Sequence, residues 1–279
     1  MSEQPESTAR LVAAALRAPF IPDAVAGLAR AGGYLDAVWP QLAPSMETAG
    51  FLGSALYMAD MAADGVEEVY EPVLSRASLL ARGLSEAELD AVVAALDVFY
   101  WVQPQLLLLT SALAEAMTEP SVGGQGRPEP RQPSEREQEH VETALELADG
   151  GTAPLPAIAE VLNVDGAPDL YRAIAAWPAY LEAVWEELQH LVAYPDFRRR
   201  GRALYFYARS SSRFLAQPIE AGPDALAAAV AGPDVAIARS TLQGVTPVLA
   251  TMMMHCSAMR VGLGVTTREV VTQEGGGAN

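Results

Sequence analysis

The chain has 279 residues, 51% of them hydrophobic, and a formal net charge of −17 from 35 acidic and 18 basic side chains. That balance argues against a nucleic-acid surface or an anionic membrane as partner, and one cysteine, Cys256, excludes an internal disulfide framework and the usual zinc-finger patterns. An acidic N-terminus and the lack of an unbroken apolar run of about 20 residues lead us to expect a soluble, cytoplasmic protein with a small-molecule substrate.

Ala and Leu dominate and β-branched residues are unremarkable, which favours helix over sheet. Residues 1–8 read as a polar tail. A short helix follows from Ala9 to Leu16 and is ended or bent by Pro19 and Pro22. Asp23 can cap the next helix through its carboxylate, and that helix runs past Leu28 until Gly32 and Gly33 interrupt it. From Tyr34 to Leu42 the spacing of Leu35, Val38, Trp39 and Leu42 places one apolar face on a helix.

The apolar spacing from Met46 to Val69 again predicts helix, with Asp60 and Asp64 four residues apart on one side. Such carboxylates can serve acid/base chemistry or a cation, but more often form a solvated face. Ser85 and Glu88 make a capping box that opens a long helix reaching Tyr100. Gln103 and Pro104 should kink it or start a new helix, and Leu106 to Leu109, apolar all round, should lie centrally. The proline-rich stretch from Thr118 to Arg136, with Gly123 and Gly124 adjacent, shows no periodicity and reads as a linker.

Beyond the linker the plan returns. Tyr34-Leu-Asp-Ala-Val-Trp39 reappears as Tyr180-Leu-Glu-Ala-Val-Trp185, 146 positions later, and Asp23 falls on Asp169 at the same offset. Ala55-Leu56-Tyr57 falls on Ala203-Leu204-Tyr205 at nearly that offset, and Pro104 on Pro247, so we expect a duplication. The expected fold is all-α: two pseudo-symmetric multi-helix repeats packed around a central cleft. Residues 9–117 form the first repeat, 118–136 the linker, 137–267 the second repeat and 268–279 a flexible tail. In the second repeat, helices are expected from Leu170 to Ala176, from Tyr180 to Leu191 and from Phe197 to Phe214. Two more should run from Val235 to Leu242 and from Val248 to Met259. The Arg-rich segment from Arg198 to Arg213 can face an anionic ligand, but pairing with first-repeat carboxylates explains it more simply.

Three constellations carry chemistry. Glu137 with His140, and Glu187 with His190, match a Glu-x-x-His metal half-site, but the first copy lies outside the repeated unit and no metal or other cofactor is expected. Cys256 beside His255 is a poor nucleophilic couple, because adjacent helix residues diverge by about 100°; a buried thiol among methionines is plain core. Asp23 and Asp169 stand at corresponding turn-to-helix junctions, where they are either ordinary helix caps or two acids meeting in a cleft.

The sequence Asp169-Leu-Tyr-Arg-Ala-Ile-Ala, followed by Trp177-Pro-x-Tyr-Leu-x-x-x-Trp185, resembles the group I, D,L-acting 2-haloacid dehalogenases. So do Tyr34-Leu-x-x-x-Trp39 and Gln103-Pro-x-Leu-Leu-Leu in the first repeat. The resemblance spans nearly the whole chain and implies an aspartate that activates water to displace halide from an sp3 carbon directly, with inversion. By position that aspartate looks like Asp169. A water-holding asparagine of the family looks like Gln103 here, whose stem is one methylene longer. Phe20, Asp23 and Tyr100 are the implied substrate-binding positions, and Asp23, an acid where the family has an apolar wall, would repel a carboxylate substrate. Two other readings stand beside hydrolysis. One is ring closure by an internal amine, for example to an aziridine, in secondary metabolism. The other is a non-catalytic helical repeat protein; a homodimer or a partner protein is left open.

Overall fold

Two 31-residue helices lie at the centre of the structure. The computed structural model of the protein describes residues 7–132 and 140–265. The expected tail and residues 133–139, with Glu137 of the first metal half-site, fall outside the described residues. Before the linker come α1 (Thr8–Leu16), α2 (Asp23–Ala29), α3 (Tyr34–Met46), α4 (Ala49–Val69), α5 (Arg76–Ala81) and α6 (Glu86–Ala116). After it come α7 (Leu155–Leu162), α8 (Asp169–Ile174), α9 (Pro178–Leu188), α10 (Pro195–Ser211), α11 (Pro223–Leu226) and α12 (Gly232–Gly262).

α6 begins where its capping box says it should: Glu88 N donates to Ser85 Oγ (3.2 Å) and Ser85 N to Glu88 Oε2 (2.7 Å). From Val98 to Leu113 every side chain is buried, so this helix has no solvent face and becomes the axis of the core. By length and composition α6 could cross a membrane, but 83% of its most apolar window is inside the protein. It packs more extensively on α12 than any other two elements pack on each other.

Two sequence expectations are corrected. Gln103 and Pro104 do not divide α6, and Pro247 does not separate two helices; each proline sits inside one continuous helix. An interior proline costs about 3 kcal/mol, and the buried apolar residues on both sides of each proline outweigh it. α7 was not foreseen. It ends on Asn163 in the left-handed region (φ 54°).

The proline-rich segment is pinned rather than free as far as residue 132. Val122–Gly123 (β1) pairs antiparallel with Pro218–Ile219 (β2), and buried Arg131 donates to Ala15 O at 3.2 Å. α10 lies against α4, α6 and α12. There Arg200 pairs with Glu68, and Arg209 with Glu115 at 2.5 Å, so these two arginines meet carboxylates that precede the linker.

Candidate active site

α2 and α8 start in the same way. Pro22 and Pro168 hold extended backbone (φ −61° and −59°), and the aspartate that follows each is the first helical residue. A carboxylate at that position is past the N-cap, and neither helix has a side-chain cap. The expectation that Asp23 caps its own helix is therefore corrected, and so is the ordinary-cap reading of Asp169. Asp169 instead serves the other helix: its Oδ2 accepts the first amide of α2, from Asp23 N, at 2.9 Å. A helix N-terminus favours negative charge, so the two segments hold each other in register.

Arg172, one turn on from Asp169 along α8, completes the cluster. Its Nη1 donates to Asp23 Oδ1 and Oδ2 (3.1 and 2.9 Å) and lies 3.6 Å from Asp169 Oδ1. Its Nε donates to Ala148 O at 2.9 Å, which fixes the guanidinium from behind. The two acids differ in solvation: the Asp169 side chain is 15% exposed and that of Asp23 56%. Burial is the main cause that raises the Asp169 pKa from 3.8 to about 8. The charge of Asp23 and a side-chain hydrogen bond with it add to the rise, while the Asp23 amide and Arg172 oppose it. A carboxyl held near 8 is a stronger base once ionised than an ordinary aspartate, as proton abstraction near neutrality requires.

Asp169 lines a cavity of about 760 Å³ together with Phe20, Asp23 and Gln103. Four of the five residues named from the sequence thus share one space. Phe20 packs on Phe99 with ring centroids 5.4 Å apart and forms an apolar wall. Gln103 is only 4% exposed, and its Oε1 accepts no hydrogen bond from any described residue. Asp169 Oδ1 is buried and likewise accepts none. Leaving a buried polar atom unpaired costs about 1–3 kcal/mol, and both residues that carry such an atom line this cavity.

Tyr100 is placed elsewhere. Cavity-lining Phe99, Val102, Gln103 and Leu106 follow the i, i+3, i+4, i+7 spacing of one helix face. Tyr100, one residue on from Phe99, projects about 100° away. Its hydroxyl donates to Asp60 Oδ1 at 2.8 Å, and Arg260 stacks 3.9 Å from its ring centre. Its position as a substrate contact is therefore not one that this cavity offers.

The other sequence candidates have structural partners. Glu187 accepts from the Tyr70 hydroxyl (2.6 Å) and from the amides of Val73 and Leu74 (2.6 and 3.0 Å), tying down the chain after α4. No group of three or more possible metal ligands gathers among the described residues. Cys256 Sγ meets Leu96 O at 3.4 Å, and burial pushes its thiol pKa well up. His255 Nδ1 lies 2.6 Å from the Tyr171 hydroxyl, and burial lowers its pKa to about 4, so the imidazole is neutral and serves as a hydrogen-bonded brace between α8 and α12. Sequence reasoning missed this brace, and it missed Arg172 and the cavity residue Arg30. Only Arg172 carried a legible signal, its i+3 spacing from Asp169.

The fold is mostly helical, and the site is a cavity lined by a buried carboxyl of raised pKa. Residues 19–147 match the family described as Halocarboxylic acid dehydrogenase DehI. A configuration-inverting 2-haloacid dehalogenase of Alcaligenes xylosoxydans xylosoxydans is 27% identical over 77% of this chain and 75% of its own length. One of Pseudomonas sp. (strain 113) is 28% identical over 64% of this chain and 60% of its own length. Solved structures of a D-2-haloacid dehalogenase agree in fold at 18% identity. A mutant in complex with D-2-CPA has a TM-score of 0.80 over 91% of this chain and 89% of that one. The enzyme with L-LA has 0.81 over 91% and 90%. Together these comparisons show a chain similar to 2-haloacid dehalogenases in sequence and in fold, and support an enzyme of hydrolase type.

Proposed function

We propose that the protein hydrolyses a 2-haloacid by direct attack of water on the halogen-bearing carbon. In this reading Asp169 is the general base and Gln103 positions the water. The observation that carries it is the buried Asp169 carboxyl, its pKa raised to about 8, lining one cavity together with Gln103 and the apolar Phe20. A water that donates one proton to Asp169 and one to Gln103 turns a lone pair toward the substrate. As the C–O bond forms and the C–halogen bond breaks, Asp169 takes the proton and halide leaves against apolar groups such as Phe20. Attack from the face opposite the halogen inverts the carbon, in keeping with the inverting relatives. Action on both enantiomers, and the division into two repeats with α2, α3, α4, α6 answering α8, α9, α10, α12, belong to the same proposal.

The test is halide release from D- and L-2-chloropropionate, with the configuration of the lactate determined. A single turnover in ¹⁸O-water should place the label in lactate and leave Asp169 unlabelled. If the protein releases no halide, and Asp169→Asn changes no ligand affinity, the catalytic reading of Asp169 is wrong.

Asp23 favours a second reading. Its carboxylate, 56% exposed on the cavity and beside the base, would hold an ammonium more readily than a carboxylate. An amine on the substrate could then form the N–C bond as the C–halogen bond breaks, with Asp169 accepting the amine proton. With 3-chloroalanine, loss of HCl to a ring product rather than exchange of chlorine for hydroxyl would select this reading.

A further inference from the structure

The cavity is larger than a three-carbon haloacid requires. Clefts of roughly 300–1,000 Å³ enclose drug-sized ligands, and this one, at about 760 Å³, lies in the upper part of that range. It is also polarised. Among the described residues that line it, Arg30 is the one basic side chain, whereas Asp23, Asp165 and Asp169 are acidic. Arg30 follows the last residue of α2, and its side chain makes no ion pair or hydrogen bond with any described residue. Gly27 makes room for Thr241, whose Cγ2 would lie 2.8 Å from a Cβ there, and Arg30 Nη2 would lie 3.7 Å from the same Cβ. The guanidinium thus folds back over α2 toward α12, where the Thr241 hydroxyl also lines the cavity. At 1.5 Å per residue, Gly27 and Arg30 stand about 6 and 10 Å along the helix from Asp23.

We propose that the natural substrate is elongated and carries a second carboxylate, bound by the Arg30 fork with help from Thr241. This names the substrate class of the hydrolysis proposed above and rests on that reading for the reacting end only. The arginine fork matches a carboxylate bidentately.

Calorimetric binding of suberate and of octanoate to the full chain at pH 7 tests the inference without any turnover. Suberate should bind at least about tenfold tighter, a difference of about 1.4 kcal/mol. Arg30→Gln should bring suberate to the octanoate affinity, while Arg30→Lys should retain part of the preference. Equal affinities for the two acids, including none measurable for either, overturn the inference. So does a preference that survives Arg30→Gln. Halide release is read separately: 2-chloropropionate turnover without a suberate preference sinks this inference alone, whereas a preference that depends on Arg30, without halide release from any haloacid, upholds it and sinks hydrolysis.

Discussion

The start of α2 and the start of α8 share a motif, a proline followed by an aspartate at the first helical residue, yet the two carboxylates live in different solvents. Asp169 is enclosed and its pKa is raised to about 8, whereas the Asp23 side chain is more than half exposed and held by Arg172 through both oxygens. The difference teaches that the role of a carboxylate here follows from desolvation and from which neighbour reaches it first. Asp23 accepts from Arg172 Nη1 through both oxygens, whereas Asp169 Oδ1 is buried and accepts no hydrogen bond from a described residue.

The sharpest way to break this contrast is to neutralise the buried member. Asp169→Asn should lower halide release by about 10³-fold or more, within the range of a lost general base, while Asp23→Asn should cost far less. The same variant tests the linkage. Between pH 3.8 and about 8 the folded state retains the Asp169 proton and the unfolded state loses it. This contribution to stability is thus fully present below 3.8 and is lost as pH rises through about 8. Tm measured across that window should fall less with pH for Asp169→Asn than for the wild type.

Gln103→Leu keeps the bulk of the side chain and removes the amide. Misplacing the reacting water in this way should cost about 10²-fold in kcat, and an unchanged kcat would detach Gln103 from the chemistry. Tyr171→Phe removes the brace behind Asp169 and leaves buried His255 Nδ1 without its partner. Chemical denaturation should show a loss of about 1–3 kcal/mol. The smallest effect expected is that of Asp23→Asn on the pH profile. With wild type the rate should rise as pH passes through about 8; removing the Asp23 charge, which raises the Asp169 pKa, should move that midpoint to lower pH. A midpoint that stays put or moves up would mean that the two acids do not sense each other.

Much of the helical order could be read along the chain because capping and periodicity are local. The Ser85–Glu88 box begins α6 as expected, and the apolar run around Leu106 to Leu109 is central. Pro104 and Pro247 misled because a local helix penalty says nothing of the burial on either side that overrides it. At the site, the repeat marked Asp23 and Asp169 and the family resemblance added Gln103 and Phe20, and all four line one cavity. Tyr100 was misjudged by one step of helix rotation, and Arg30 went unnoticed because nothing in its neighbourhood along the chain marks it.

What the sequence by itself determined is the helical class, which follows from local propensity and spacing, and a short set of candidate residues marked by the repeat and the family resemblance. Which carboxylate is buried, which one Arg172 clasps, and the joining of Asp23 N to Asp169 Oδ2 across 146 residues were decided only by the tertiary structure. The physical reason is that desolvation and hydrogen-bond pairing depend on neighbours brought together by packing, and no residue carries that information alone.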